Sequence, residues 1–357
     1  MSETTHGQSE VLFKQRGAAG IITLNRPQAL NAFTIATVAP IRGQLARWES
    51  DPSVTRVVIQ AAGGKAFAAG GDIRTLVGQL RGEGFDDAIE FWRQEYTLNS
   101  EIKHYPKPYV ALVDGICMGG GVGLSVHGGF RVAGDRYLFA MPEVSVGFFP
   151  DVGATHFLPR LPGKVGTFLA LTATRFGPGE GIGFGVATHR VPSAQFPVLI
   201  DALADGEDVA GTLAAFSVRP EPNTLASRQD VIDRAFAAGT VEGVLDNLDR
   251  EGQRGGEDGD FASAQAAAIR TKSPTSLKVA LEQMLLGPTL DFSGCMRTEF
   301  RIVNRVARGH DFFEGVRAVV VEKDNAPKWN PGTLEGVSEG AVAAYFEPLA
   351  PGEELSL

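Results

Sequence analysis

The stretch YVALVDGICMGGGVG, Tyr109–Gly123, decides how the rest of the chain is read. Tyr109–Asp114 is a nearly continuous apolar run, the pattern of a strand covered on both faces. Consecutive glycines follow, and then a helical stretch. The same succession stands earlier in the chain: Thr55–Ala61 (TRVVIQA) reads as a β-branched strand, Gly63–Asp72 (GGKAFAAGGD) as a glycine-rich loop, and the residues up to about His104 as a helical stretch. Repeated strand, glycine loop and helix predict a parallel, layered α/β core. Working outward, Val11–Arg16 and Ala18–Asn25 read as two strands joined by a turn. Ile35, Val38, Ile41, Leu45 and Trp48 recur at three- and four-residue steps and predict an amphipathic helix over Thr34–Glu49. Tyr137–Met141 reads as a further strand. Beyond about Pro150 helical patterns dominate, as in Leu161–Ala173 and Ser273–Leu286, while the acidic, glycine-rich Glu251–Asp260 reads as a surface loop. The expected division is an α/β core over 1–202 and a mainly helical region over 203–357.

Composition narrows the function. The chain has 357 residues, 33 Lys and Arg against 42 Asp and Glu, and a net charge of −9. An evenly acidic chain lacks the basic face that nucleic-acid phosphates require, so no nucleic-acid partner is expected. Cys117 and Cys295 are too few for a disulfide framework or a cysteine zinc site and fit a reducing compartment. The opening MSETTHGQSE lacks the order of a signal peptide, and no apolar run reaches membrane-spanning length. A soluble, cytoplasmic protein with no membrane partner is the expectation. His104, His127, His156, His189 and His310 have no metal-ligand spacing, so no metal is expected.

Three segments can carry chemistry. In Gly63–Asp72 and in Asp114–Gly123, glycines between a strand and a helix leave backbone N–H groups able to hold an anion or a developing oxyanion; each segment alone also fits a tight structural turn. Two motifs fail at the second segment. A dinucleotide fingerprint on Gly119 and Gly121 would need glycine at Leu124. A serine elbow at Gly123-Leu124-Ser125 would need glycine at His127. Ser125 therefore reads as a buried or capping hydroxyl. The third segment, Met141–Gly153 (MPEVSVGFFPDVG), sets Glu143 and Asp151 eight residues apart in apolar surroundings. Burying such carboxyls is costly unless they are paired or used, and burial moves their pKa towards the range useful for proton transfer.

Together, in this order, the segments resemble the crotonase (enoyl-CoA hydratase/isomerase) superfamily, from about Val11 to Ala173 and again from about Asp311. The resemblance implies a spiral of ββα units with a helical C-terminal region, an acyl-CoA substrate and no cofactor beyond the coenzyme A of that substrate. It implies an oxyanion hole from the N–H groups of Ala69 and Gly120, the latter at a helix N-terminus. Two features point away from a standard hydratase: Gly123 stands where a hydratase carries a glutamate, and Asp151 where it carries glycine. With GGDIR, VGFFPDVG, SPTSLKV, DFFEGVRA and EKDNAPKW, they are similar to the branch that hydrolyses β-hydroxyacyl-CoA thioesters such as 3-hydroxyisobutyryl-CoA in valine breakdown. That branch implies Glu143 as base or nucleophile, Asp151 as holder of the substrate hydroxyl or proton donor to the thiolate, and Glu95 as a further substrate contact. Gly70, Gly71, Asp72, the Arg26–Ala32 turn and Lys323 would hold the coenzyme. Ala154, where the branch has glycine, is expected to crowd the Asp151 loop. Relatives of this kind assemble as trimers or hexamers, so a homo-oligomer is open. A hydratase or isomerase, or a non-catalytic acyl-CoA-binding protein, is the alternative.

Overall fold

The computed structural model describes residues 9–206 and 208–357; the first eight residues, on which the signal-peptide reading partly rests, lie outside the described residues. The strands are β1 (Val11–Arg16), β2 (Ala19–Leu24), β3 (Arg56–Ala61), β4 (Ala66–Ala68), β5 (Tyr109–Val113), β6 (Ile116–Met118), β7 (Phe130–Ala133), β8 (Leu138–Ala140) and β9 (His189–Arg190). One sheet runs β1-β2-β3-β5-β7-β9 and a second runs β4-β6-β8. Among the described strands β1 pairs antiparallel with β2 and the other strand pairs are parallel. Three successive turns of chain, β3–β4, β5–β6 and β7–β8, each place one strand in each sheet. That is a spiral of ββα units, the architecture the resemblance implies.

The apolar run of β5 divides between two cores because successive side chains point to opposite faces. Val110 and Leu112 join Ile21, Val58 and Val132 on one face, with Val58 paired in register to Val110. Tyr109, Ala111 and Val113 join Ile22, Val57 and Ile59 on the other. Each buried Val, Leu and Ile among them contributes about 1.5–3 kcal/mol by burial, which requires cover on both sides.

That cover is helical. The first helices are α1 (Ile35–Ser50), α2 (Ile73–Arg81), α3 (Phe85–Lys103), α4 (Gly120–Val126), α5 (Ala154–Phe157), α6 (Val165–Thr172) and α7 (Pro178–Gly183). Then come α8 (Phe196–Asp205), whose Leu199, Ile200 and Leu203 cover the outer face of the large sheet, and α9 (Val209–Phe216). The chain ends with α10 (Gln229–Ala235), α11 (Val241–Gly252), α12 (Gly256–Arg270), α13 (Pro274–Leu286), α14 (Phe292–Val306), α15 (His310–Val316) and α16 (Glu339–Ala343). Thr34 and Ser273 cap α1 and α13 with their hydroxyls, and Pro274 occupies the first position of α13, where its missing N–H costs nothing. The helices α13 and α14 pack over α5, and α14 also packs on α3.

Two expectations need correction. The stretch after Asp72 is two helices, because Gly82 and Gly84 stop α2 and start α3. Glu251–Asp260 is not a loop but the end of α11 and the first turn of α12. Glu257 and Asp258 suit that turn through the helix dipole and pair with Arg228, while Glu251 pairs with Arg234 and Arg254. No helix among the described residues is long and apolar enough to cross a membrane.

Candidate active site

The two glycine loops meet. The β5–β6–α4 chain turns at Gly119, whose φ of 49° and ψ of −126° suit a residue without Cβ. A Cβ on Gly119 would lie 3.3 Å from the Gly70 Cα and 3.6 Å from Glu143 Oε1. A Cβ on Gly120 would lie 2.4 Å from Glu95 Oε1 and 2.8 Å from the Phe33 ring. Absent side chains on α4 thus let two carboxyl groups reach the backbone of the same turn.

The first loop corrects two expectations. The Ala69 N–H donates to the Leu30 carbonyl at 3.1 Å, so it is spent on the fold and not free for an oxyanion. Phe33 N–H donates to Gly70 O at 2.9 Å and Asp72 N–H to Phe33 O at 2.8 Å. These bonds flank Gly71, whose own N–H faces the opposite side, where β6 leads into Gly119 and Gly120. The Asp72 side chain is also committed: it accepts from Thr75 N–H at 3.2 Å, capping α2, and from Arg26 Nη1 at 2.9 Å. Asp72 therefore ties the Arg26–Ala32 turn to the loop and offers no free carboxylate. Lys323 is exposed at the end of the π-helical turn Arg317–Val321, which packs against the Glu143 turn; it is outside the buried acidic cluster.

Four carboxyl groups are buried together. Relative exposures are 3% for Glu95, 7% for Glu143, 5% for Asp151 and 0% for Glu299. Glu143 opens a 3-10 turn after β8, Asp151 lies between that turn and α5, Glu95 is on α3 and Glu299 on α14. Tyr96 donates its hydroxyl to Asp151 Oδ2 at 2.9 Å. Among the described residues Glu95 Oε1 and Glu143 Oε2 have no hydrogen-bond partner, and neither does either amide atom of Asn99, one turn after Glu95. Trp92 stacks on Phe148 with ring centroids 5.8 Å apart, and Phe148 meets Phe312 at 4.9 Å, forming an apolar wall beside the acids.

This dry setting sets the proton affinities. Burial raises Glu143 and Glu95 well above the usual carboxyl range, and the charge of Asp151 adds to both shifts. Burial pushes Asp151 up to about 7, against the pull of the Tyr96 hydroxyl. It pushes Glu299 up to about 8, opposed by the Gly153 N–H and reinforced by Asp151. Like charges this confined cannot all ionise together, so protons leave the cluster in steps and a proton donor and an acceptor coexist near neutrality.

Sequence reasoning brought Glu143, Asp151 and Glu95 to this cluster and missed Tyr96, Asn99 and Glu299. A signal for Glu299 existed: it lies on the apolar stripe of α14 with Cys295, Met296, Ile302 and Val303, where a carboxylate is out of place. Ser125 is a buried hydroxyl bonded back to the Gly121 and Val122 carbonyls, as expected. Ala154 opens α5 and donates to the Asp151 carbonyl at 3.0 Å, a helical position that demands no glycine. His127 is buried and its Nε2–H donates to Val152 O at 2.7 Å; burial holds its pKa down near 3, so it stays neutral.

A family model described as enoyl-CoA hydratase/isomerase matches residues 19–346. The chain is 45% identical over 351 residues to a protein of Rattus norvegicus named 3-hydroxyisobutyryl-CoA hydrolase, mitochondrial, covering 96% of this chain and 89% of that one. It is 42% identical to the Homo sapiens protein of the same name, covering 99% and 92%. Among solved structures it resembles a carnitinyl-CoA dehydratase from Mycobacterium thermoresistibile, with a TM-score of 0.90 and 40% identity over 97% of this chain and 98% of that one. An enoyl-CoA hydratase from Rhodobacter sphaeroides gives a TM-score of 0.89 and 40% identity over 98% and 100%.

Proposed function

This chain belongs to the enoyl-CoA hydratase/isomerase family, and from that premise we propose that it hydrolyses the thioester of 3-hydroxyisobutyryl-CoA. Water and the ester become 3-hydroxyisobutyrate and free coenzyme A, a step of valine breakdown. The observation that carries the reading is the pairing of Glu143 and Asp151 in one dry chamber beside the Gly119–Gly120 turn. The thioester carbonyl oxygen would accept from the N–H groups of Gly120 and Gly71, which replaces Ala69 as the second donor. Preorganised donors of this kind are worth about 3–4 kcal/mol each.

Glu143 then delivers an oxygen to the carbonyl carbon, either by taking a proton from water or by adding its own carboxylate and being released by water. The tetrahedral intermediate collapses by breaking the carbon–sulfur bond. Asp151, able to hold a proton at neutral pH, gives it to the departing thiolate and is reprotonated by the proton that the attacking water gives up, while the Tyr96 hydroxyl steadies its carboxylate in between. Glu95, whose Oε1 approaches the Gly120 turn, would be a further substrate contact, suited to the β-hydroxyl. A cavity of about 350 Å³ lined by Phe33, Leu76, Gln79 and Phe91 adjoins this loop and suits the coenzyme arm. Gly70 supports this cavity through its carbonyl, which accepts the Phe33 N–H, and Lys323 would meet a phosphate from solvent. A thioester carbonyl is already activated, so the reading calls on no metal or further cofactor.

Hydration of an enoyl-CoA is the second reading, because the two solved structures carry hydratase and dehydratase names. Against it stands Gly123, where the glutamate of a hydratase pair is lacking. For the compartment, the free, buried cysteines suit a reducing interior, whereas the relatives are named mitochondrial, which does not favour the cytoplasmic expectation. The site is tested by Glu143→Gln. Release of free thiol from 3-hydroxyisobutyryl-CoA should fall by roughly 10²–10⁴-fold with the Kd for the ester nearly unchanged. A fully active variant would remove Glu143 from the reaction.

A further inference from the structure

Asp151 stands on an unusual piece of backbone. The next residue, Val152, has φ of 53°, a left-handed conformation that a β-branched side chain adopts only under constraint. Such strain persists only where the surroundings hold it in place. Side chains from distant elements do so at nearly every residue of the loop. From α13, Gln283 Nε2 donates to the Pro150 carbonyl at 2.9 Å and to Thr155 Oγ1 at 2.7 Å. From the end of α4, His127 holds the Val152 carbonyl. From α14, Glu299 accepts the Gly153 N–H at 2.7 Å on one oxygen and the Thr155 N–H at 2.9 Å on the other. Among the described residues Glu299 forms no salt bridge, and the two cations of α3, Arg93 and Lys103, lie over the Phe300 and Phe292 rings.

We propose that Glu299, with Gln283, is a positioning clamp through which the C-terminal helices hold the strained Val152 turn and so aim Asp151 at the substrate. The clamp rests on the hydrolase reading above and goes beyond it, because Glu299 touches backbone and never the reacting atoms. It also works electrostatically. The titratable groups that face Glu299 are Tyr96 from α3, Asp151 from the loop, Glu143 behind it and Cys295 on its own helix. His127, which holds the same loop, stays neutral, so the charge that Glu299 gains near pH 8 meets no cation there and adds to the upward shift of Glu143.

The test compares wild type, Glu299→Gln and Gln283→Leu for thiol release from 3-hydroxyisobutyryl-CoA across pH 5–9, with thermal melting to confirm folding. Glu299→Gln leaves one of the two N–H groups without an acceptor and removes the charge. Its kcat should fall about 10–100-fold with KM within about threefold, as a displaced group near the chemistry requires. The wild-type kcat/KM profile should change near pH 8, where Glu299 gains its charge beside Glu143, and the Glu299→Gln profile should lack that change. Gln283→Leu should lower kcat similarly with the change near pH 8 retained, since it removes no titrating group. A Glu299→Gln enzyme with wild-type kcat, or one that loses kcat but keeps the change near pH 8, overturns the clamp. If Glu299→Gln does not fold, Gln283→Leu decides alone: wild-type kcat there overturns the clamp, and a selective kcat loss supports it. A wild-type protein that releases no thiol instead overturns the hydrolase reading itself.

Discussion

Asp151 joins a proposed catalytic role to an energetic cost in one side chain. Its carboxyl has an ordinary pKa of 3.8 in the unfolded chain and about 7 in the folded protein. Between those values the folded state binds the proton more tightly, so stability is present below about pH 4 and falls as pH rises to about 7. Asp151→Asn removes that penalty while keeping an acceptor for Tyr96. At pH 8 the variant should melt above wild type by roughly 2–6 °C, and at pH 4 the difference should vanish. Its thiol release should be strongly reduced at both. A variant melting below wild type at pH 8 would show Asp151 to be a stabilising charge and not a strained functional one. Glu143 and Asp151 were legible in the sequence because an apolar, proline-punctuated segment has no structural use for two acids. Which N–H of Ala69, Gly70 and Gly71 remains free was not legible, because the Leu30 carbonyl that consumes the Ala69 donor belongs to a remote turn.

At the scale of the element, α4 and α3 form one unit. Glu95 and Asn99 lie one turn apart on α3 and face Gly120 and Gly123, three apart on α4. A Cβ on Gly123 would be 2.6 Å from Asn99 Nδ2 and 2.9 Å from Val152 Cβ, so the place of a hydratase-type glutamate is already filled. Gly123→Glu should therefore lower stability by about 1–3 kcal/mol, by thermal or urea melting, and should gain no crotonyl-CoA hydration. Measurable hydration by that variant would mean that α4 can shift away from α3. Gly120→Ala presses a methyl against Glu95 and the Phe33 ring and should cost at least tenfold in kcat/KM. The strand–glycine–helix succession that carries this unit was readable from local pattern alone. The segment at Glu251–Asp260 was misread because its glycines and acids, loop-like in composition, serve the first turn of α12, where the dipole and Arg228 reward them.

At the scale of the molecule, the spiral core supplies the two glycine turns and the C-terminal helices complete the acidic chamber. Glu299 and Gln283 come from α14 and α13, and Phe312 of α15 closes the apolar wall. This contribution is hidden in sequence because it depends on helices packing across the chain, while each helix by itself shows only an ordinary amphipathic pattern. The most direct test of the whole account is to offer the purified protein 3-hydroxyisobutyryl-CoA and crotonyl-CoA in parallel, following free thiol and enoyl absorbance. Thiol release from the hydroxyacyl ester with no loss of enoyl absorbance is the predicted result. Hydration of crotonyl-CoA without thiol release from either ester would contradict it.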